Sequence, residues 1–204
     1  LGFGSCVAAC QFGAISINER GVAVVDKEKC TNCGACMAAC PRKLIVSVPA
    51  NEKKVHVACA NLDKGKAAMS VCSVSCIGCG LCEKECKKDA IHVVNGVAVV
   101  DYDKCIGCMK CVNHCPGLAL FGYNIPKNWL FLPFEYDAEE NAEVYLVDDN
   151  GQKVGEGVIE KITKGENKTH VARVKALDIS GEAMMNVTGF ILKENYPEPL
   201  NWQK

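Results

Sequence analysis

Cysteine spacing is the sequence feature that most constrains the fold of this chain. All sixteen cysteines of the 204 residues lie between Cys6 and Cys115, and many are separated by only two residues. Thiols this close along a chain chelate metal more readily than they pair with one another, because a disulfide needs a particular separation and orientation of its two Cβ atoms. Disulfide scaffolds are also short secreted domains, whereas this chain is long and shows no cleavable signal peptide.

The cysteines form runs that share one spacing. The pattern C-x2-C-x2-C-x3-C-P occupies residues 30–41 and 105–116, and a third copy without the proline occupies residues 76–86. In iron–sulfur proteins the first three cysteines of such a run bind one [4Fe–4S] cluster and the fourth binds the neighbouring cluster. Structural zinc prefers separated C-x2-C pairs, and these runs do not divide in that way. The spacing therefore predicts iron–sulfur clusters.

The cysteine-rich half of the chain is an internal repeat. Residues 77–91 align with residues 1–15, and the segment GVAVVD, a predicted strand, occurs at 21–26 and again at 96–101. Each copy has a cysteine run on either side of this strand. We therefore divide the chain into four segments: unit A (1–48), a connector (49–71), unit B (72–120) and a Cys-free, β-rich tail domain (121–204).

The repeat and the crossed ligand pattern together predict three complete clusters. Their ligand sets are Cys76, Cys79, Cys82 and Cys115; Cys86, Cys105, Cys108 and Cys111; and Cys10, Cys30, Cys33 and Cys36. Glycines inside the loops, Gly34, Gly78, Gly80 and Gly107, are expected to permit the tight turns that such binding needs. Amides in these loops are expected to donate hydrogen bonds to sulfur.

Four cysteines remain outside these sets. Cys6 and Cys40 align with ligands of unit B, so we assign them to an incomplete fourth cluster. Its other two ligands are expected upstream of Leu1, which would make unit A N-terminally truncated. Cys59 and Cys72 have no evident partner. They are either free thiols, or they supply an additional ligand or a redox-active thiol.

Residues 1–120 resemble the bacterial two-[4Fe–4S] ferredoxin family in duplicated form. The resemblance implies an α+β fold with two tandem ferredoxin-like dicluster units, followed here by a small antiparallel β domain. A closer resemblance is to the B subunit of Rnf-type ferredoxin:NAD+ oxidoreductase complexes. It is carried by LGFGSCVAAC at 1–10, GVAVVDKEKCTNCGAC at 21–36, KKVHVAC at 53–59 and CSVSCIGCGLCEKEC at 72–86. Gln11 and Lys87 depart from the family, in which proline commonly follows the cysteine.

The resemblance implies a polyferredoxin subunit that takes low-potential electrons from soluble ferredoxin. It would pass them to other redox subunits of a membrane-bound, ion-translocating complex at the cytoplasmic face. In that family a membrane-anchoring helix precedes this region, whereas no stretch of this sequence is predicted to span a membrane. Two alternatives are a relay subunit of another soluble oxidoreductase complex and a metal-stabilised structural or interaction module.

Electron relay requires no acid, base or nucleophile, and the chain has no catalytic triad, flavin motif or GxGxxG. We therefore expect no substrate-converting site. The basic residues are not clustered as nucleic-acid binding would require. Lysines near the runs, such as Lys54, Lys87 and Lys110, are expected to offset cluster charge, and some of them to receive an acidic ferredoxin. His56, His92 and His114 are expected to be packing or surface residues.

The tail domain is predicted to form a small antiparallel sheet or barrel of about four strands. The predicted strands cover 142–147, 152–163, 169–178 and 186–193, and a DDNG hairpin signal separates the first two. Residues 123–136, with two prolines, are predicted to be an irregular connector. The tail either docks onto a partner subunit or caps unit B.

Overall fold

The chain divides into two compact bodies of mixed helix and sheet. A computed structural model, which describes residues 3–19, 21–49, 52–148, 151–165 and 169–196, separates an N-terminal body (Leu1–Val48) from a C-terminal body (Pro49–Lys204). In the described part of the chain, no helix combines the length and the apolar character that crossing a lipid bilayer requires.

The N-terminal body is a two-stranded hairpin flanked by two short helices. Helix α1 (Ser5–Ala9) precedes strands β1 (Ile15–Ile17) and β2 (Ala23–Val25), and helix α2 (Ala35–Ala39) follows them. The strands are antiparallel, and the two helices pack against each other. Five-residue helices are not stable by themselves in water, so these helices depend on the contacts that their cysteine loops make.

The C-terminal body contains the same arrangement of a hairpin flanked by two short helices, and two additional elements precede it. The additional elements are β3 (Lys53–Val57) and α3 (Gly65–Val71). The repeated arrangement comprises α4 (Leu81–Glu85), β4 (Ile91–Val94), β5 (Val97–Val100) and α5 (Lys110–Asn113). Strands β4 and β5 form an antiparallel hairpin, and α4 contacts α5. Both GVAVVD segments therefore contain a strand, as predicted, and in each body this strand is the second of a hairpin.

A seven-stranded antiparallel sheet makes up the rest of the C-terminal body. Its other strands are β6 (Leu120–Asn124), β7 (Trp129–Phe134), β8 (Glu143–Val147), β9 (Lys153–Lys164), β10 (His170–Ala176) and β11 (Gly189–Leu192). The spatial order is β11-β8-β9-β10-β7-β6-β3. Short 3-10 turns cover Ile125–Lys127, Gly181–Asn186 and Lys193–Asn195.

The sheet corrects two sequence predictions. It is larger than the four strands expected, and the segment expected to be an irregular connector forms the end of β6 and the whole of β7. Pro126 lies in a 3-10 turn between these strands. Pro133 lies beyond Phe131, the last residue of β7 to pair with β6, so its missing N–H interrupts no ladder on that side.

The connector predicted over 49–71 also contains a strand. Its residues Lys53–Val57 pair with β6 at the edge of the tail sheet, with Val55 buried. The four predicted tail strands all form, as β8, β9, β10 and β11. Asp149 and Asn150 of the predicted hairpin turn lie outside the described residues. On either side of them, the Gln152 carbonyl accepts a hydrogen bond from the Asp148 N–H at 3.0 Å.

We expect Leu132→Ala to destabilise the C-terminal body by about 2–5 kcal/mol, because Leu132 is 0% exposed in a central strand and its removal leaves a cavity. Leu177→Ala is the matched control, since Leu177 is 61% exposed. Urea unfolding of the intact protein, followed by tryptophan fluorescence, measures both. Equal unfolding midpoints for the two variants would contradict the placement of Leu132 in the core.

Candidate iron–sulfur sites

Three cavities in the protein are each lined by four cysteines. The Cys79 site contains Cys76, Cys79, Cys82 and Cys115; the Cys108 site contains Cys86, Cys105, Cys108 and Cys111; and the Cys33 site contains Cys10, Cys30, Cys33 and Cys36. Each site combines three cysteines of one run with the last cysteine of another run. These groups are the ones that the crossed pattern specifies, and the ligand roles themselves stay predictions.

Short helices produce this crossing in the C-terminal body. Helix α4 carries Cys82 into the Cys79 site and ends at Cys86, which lines the Cys108 site. Helix α5 carries Cys111 into the Cys108 site, and Cys115 follows it into the Cys79 site. Residues four apart lie about one helical turn from each other, so each helix serves two adjacent cavities.

The N-terminal body repeats half of this arrangement. Helix α2 carries Cys36, and helix α1 ends at Cys10, which lines the same cavity. The corresponding pair, Cys6 on α1 and Cys40 after α2, is buried. Neither Cys6 nor Cys40 lines any of the three cavities, so their assignment to a fourth cluster stays a prediction.

The donor set fits a [4Fe–4S] cluster. Among the described residues, no three His, Cys, Asp or Glu side chains are placed so that they could hold a single metal ion. The four thiols of each site instead surround a cavity, and a [4Fe–4S] cluster is held by four cysteine thiolates. Bound clusters would supply reversible one-electron transfer.

Glycines shape the loops that carry the cysteines. Gly34, Gly78, Gly80 and Gly107 all have positive φ, from 61 to 79°, which confirms that these loops need the left-handed region. Gly107 meets a second constraint, because a Cβ atom there would overlap the backbone carbonyl of Lys53 in β3. The loop from Cys105 to Cys108 is therefore pressed against the edge strand of the sheet.

Backbone amides donate to the sulfur of the last cysteine in several runs. Ala14 donates to Cys10 and Ala90 to Cys86, each at 3.3 Å, and Leu44 donates to Cys40 at 3.4 Å. These donors follow their cysteine by four residues, rather than lying in the glycine loops as expected. Hydrogen bonds of this kind stabilise a thiolate and raise the potential of a cluster. The repeated spacing Cys-x3-Ala at 10–14 and 86–90 is the signal that could have found the first two of them.

Burial makes the thiolates of the C-terminal body costly without a metal. It raises the pKa of Cys82 to about 12, and the other three thiols of the Cys79 site raise that pKa too. The pKa of Cys111 is raised to about 12, first by burial and then by neighbouring thiols. Iron cations would reverse this penalty, because a metal favours the deprotonated ligand.

Two side chains outside the cysteine runs hold the ligand loops. The Lys54 ammonium, whose side chain is only 11% exposed, donates to the carbonyl oxygens of Tyr102 at 2.8 Å and Cys105 at 2.9 Å. The buried Thr169 hydroxyl donates to the Cys115 carbonyl at 3.2 Å. Lys54 was expected only as a charge near the runs, and Thr169 was not singled out by any sequence pattern. Both contacts join distant parts of the chain.

The remaining cysteines and histidines lie outside the three cavities. Cys59 is half-buried beside the core under the cysteine loops, and the exposed Cys72 follows α3. His56 packs on the ring of Phe121 at 5.3 Å between centroids. His92 pairs with Glu83 at 3.1 Å, and the His114 ring contacts the Lys110 carbonyl at 2.9 Å. All three histidines are therefore packing or surface residues in this structure.

Comparisons with known proteins agree with this chemistry. Two family models, both described as a 4Fe-4S dicluster domain, match the chain: one over residues 3–44 and 29–90, the other over residues 75–120. Together these matches end at residue 120, where strand β6 begins.

Several characterised relatives are subunits of redox complexes. The B subunit of the Na(+)-translocating ferredoxin:NAD(+) oxidoreductase complex of Acetobacterium woodii is 51% identical over 116 residues, which covers 57% of this chain and 34% of the relative. The B subunit of the ion-translocating oxidoreductase complex of Methanosarcina acetivorans is 50% identical over 120 residues, covering 59% and 45%. A polyferredoxin-like subunit of the aliphatic sulfonate oxidoreductase of Pyrococcus furiosus is 36% identical over 95 residues, covering 45% and 46%. The matched parts therefore span less than half of these relatives.

We expect Gly107→Ala to prevent metal binding at the Cys108 site while sparing the other sites, because the new Cβ would collide with the Lys53 carbonyl. Gly181→Ala is the matched control. Gly181 has φ of 60°, close to the 61° of Gly107, but its Cβ would meet open space. Left-handed strain of about 1–3 kcal/mol is thus common to both variants. Iron analysis after anaerobic reconstitution should show a loss equal to one cluster for Gly107→Ala alone. Equal iron contents would contradict the close approach.

We expect Lys54→Met to lower the reduction potential of the Cys108 site, because it removes a nearly buried positive charge bonded to the Cys105 carbonyl. Lys54→Arg should restore most of the potential, since it keeps the charge. Lys66→Met is the matched control, because Lys66 is exposed on α3 and lines none of the cavities described above. Potentiometric titration followed by EPR measures the three variants. An unchanged potential in Lys54→Met would show that Lys54 does not act on this site.

Proposed function

Since residues 3–120 of this chain belong to the 4Fe-4S dicluster domain family, we propose that it accepts low-potential electrons from a soluble ferredoxin and passes them into a membrane-bound, ion-translocating complex. The chain is an electron-transfer iron–sulfur subunit closely related to B subunits of such complexes. The names of those relatives support the proposed donor and the proposed role in ion translocation.

The observation that carries the proposal is the assembly of three cavities, each from four cysteines of two runs. We assign one [4Fe–4S] cluster to each cavity, with the twelve cysteines as ligands. Helices α4 and α5 each contribute to both the Cys79 and the Cys108 site, which would place two redox centres side by side. This arrangement suits a relay, because electrons can pass between adjacent centres without any substrate chemistry.

The protein around the Cys79 site is suited to excluding water. Its lining includes Val57, Ile77, Val93 and Leu120, and it contains no charged residue. An apolar shell keeps solvent from the sulfur atoms and lowers the local dielectric constant, which tunes the potential of a cluster. The buried Thr169 hydroxyl holds the loop that closes the site.

The proposal extends to the position of the chain within a complex. Cys6 and Cys40 would contribute to a fourth cluster. The chain would lie at the cytoplasmic face of the membrane beside other redox subunits. The similarity to B subunits of ion-translocating complexes supports this position.

A second candidate is a relay subunit in a different oxidoreductase. The similarity to the polyferredoxin-like subunit from Pyrococcus furiosus favours it, and the three cysteine cavities would serve either role. Reduction kinetics with purified partner subunits distinguish the two candidates, because only the proposed function requires transfer onward into a membrane complex.

EPR of the reduced protein tests the relay and its crossed ligation. We expect Cys86→Ala to lose the signal of the Cys108 site, because Cys86 lines that cavity although it belongs to the other run. Cys72→Ala is the control, since Cys72 is exposed and lines none of the three cavities. Damage confined to the Cys79 site would overturn the ligand assignment. An EPR-silent protein that contains zinc would overturn the relay in favour of a metal-stabilised structural module.

A further inference from the structure

The exposed cysteine Cys108 lies where two cavities adjoin. It lines the Cys108 site together with Lys87, Lys88 and Lys110. It also lines a second, polar cavity together with Lys53, Lys161 and Arg173. We call the surface formed by these six cationic residues around Cys108 the Cys108 face. No Asp or Glu is among the residues that line either cavity.

Most of this positive charge is not neutralised by the protein. Among the described residues, the five lysines of the Cys108 face form no ion pair, and only Arg173 has an acidic partner, Glu160 at 3.2 Å. Some other exposed lysines of the C-terminal body are paired, for example Lys153 with Glu156 and Lys104 with Asp89. The Cys108 face therefore keeps a positive potential that can attract an anionic partner at moderate ionic strength.

An apolar tip and an exposed thiol lie at the centre of this face. Ile106 is 58% exposed, and Cys108 is exposed two residues later. Gly107 between them is pressed against β3, which fixes the loop. A small apolar centre surrounded by charged residues is the usual composition of a specific protein interface. An exposed ligand at that centre would allow a second redox centre to approach closely.

The other two cavities lined by four cysteines have no cationic residues like those of the Cys108 face. The lining of the Cys79 site and that of the Cys33 site contain no charged residue. Only the Cys108 site has charged lining residues, and all of them are cations. A general need to offset cluster charge would apply to all three sites. It therefore does not explain why cationic residues line only the Cys108 site.

The seven-stranded sheet supplies three of the six cationic residues of the Cys108 face. Lys161 lies on β9 and Arg173 on β10, while Lys53 lies on the edge strand β3. The Arg173 guanidinium is held over the ring of Trp129, 4.5 Å from its centroid. The tail domain therefore extends the basic surface beyond the cysteine loops. A tail that only capped unit B would not need these cationic residues, so they favour the docking role.

We propose that the Cys108 face is the docking surface for an acidic electron-carrier protein whose carboxylates surround its own redox centre. This inference rests on the proposed function and identifies the site where the soluble electron donor binds. The six cations lie in the turn after Cys86, on helix α5 and on three strands, a spread that suits a protein partner rather than a small anion. The exposed ligand at the centre is needed for electron transfer and has no role in binding a nucleic acid.

Charge reversal on the sheet side of the face tests the proposal. Lys53→Glu/Lys161→Glu changes two lysines that line the polar cavity and do not line the Cys108 site. Lys64→Glu/Lys66→Glu is the matched control, because it makes the same charge change at two exposed lysines that line none of the four cavities. The full chain with its clusters is mixed anaerobically with a reduced acidic two-[4Fe–4S] ferredoxin, and the second-order rate constant is measured against ionic strength.

We expect the rate constant of Lys53→Glu/Lys161→Glu to fall tenfold or more at low ionic strength, with a weaker dependence on salt, because attraction between the partners is lost. The affinity for the oxidised ferredoxin, measured by calorimetry, should fall as well. Reduction by photoreduced deazaflavin, a small reductant, should be unchanged, and the control variant should behave like the wild type.

Two results would overturn the proposal in different ways. If the ferredoxin reduces the wild type and both variants at equal rates, the docking surface is wrong and the proposed function stands. If deazaflavin reduces the wild type but the acidic ferredoxin does not, the proposed electron donor is wrong, and the docking surface fails with it.

Discussion

The structure depends on gathering four thiols from two segments of chain around one cavity. Burial raises the pKa of Cys82 and of Cys111, so their thiolates are unfavourable until a metal binds. Helices of four or five residues carry these thiols and have little stability of their own. We therefore expect the cysteine-rich part of each body to depend on bound clusters for folding, in contrast to the seven-stranded sheet, whose apolar core is continuous.

The sheet nevertheless contacts the cysteine loops of the C-terminal body directly. Strand β3 pairs with β6 in the sheet, and on the other side it presses on Gly107 and donates from Lys54 to the Cys105 carbonyl. Thr169 connects the other side of the site to the sheet through Cys115. Because of these contacts, the sheet fixes the loops of two sites and brings cations to the surface beside Cys108.

Sequence spacing anticipated much of the candidate site and less of the fold. A run of cysteines two residues apart specifies its own loop, so the turns at Gly34 and Gly107 could be predicted. It also specifies a partner run, so the three groups of four cysteines could be predicted. The contacts of Lys54 and the amide of Ala90 with the cysteine loops were missed, since neither has the chemistry of a ligand. The expected connector over 123–136 was wrong, because Pro126 lies in a turn between two strands and Pro133 lies beyond the last residue of β7 that pairs with β6.

The sequence by itself determined the chemistry of this protein: the kind of cofactor, the repeat, and the cysteines that share a site. Spacing is enough for these, because each run is shorter than a dozen residues and its pattern also specifies that its last cysteine belongs to the site of a partner run. Only the tertiary structure decided which site is surrounded by positive charge. Lys53, Lys110 and Lys161 are far apart in the chain and come together only because β3 joins the tail sheet at the edge where the Cys108 loop packs.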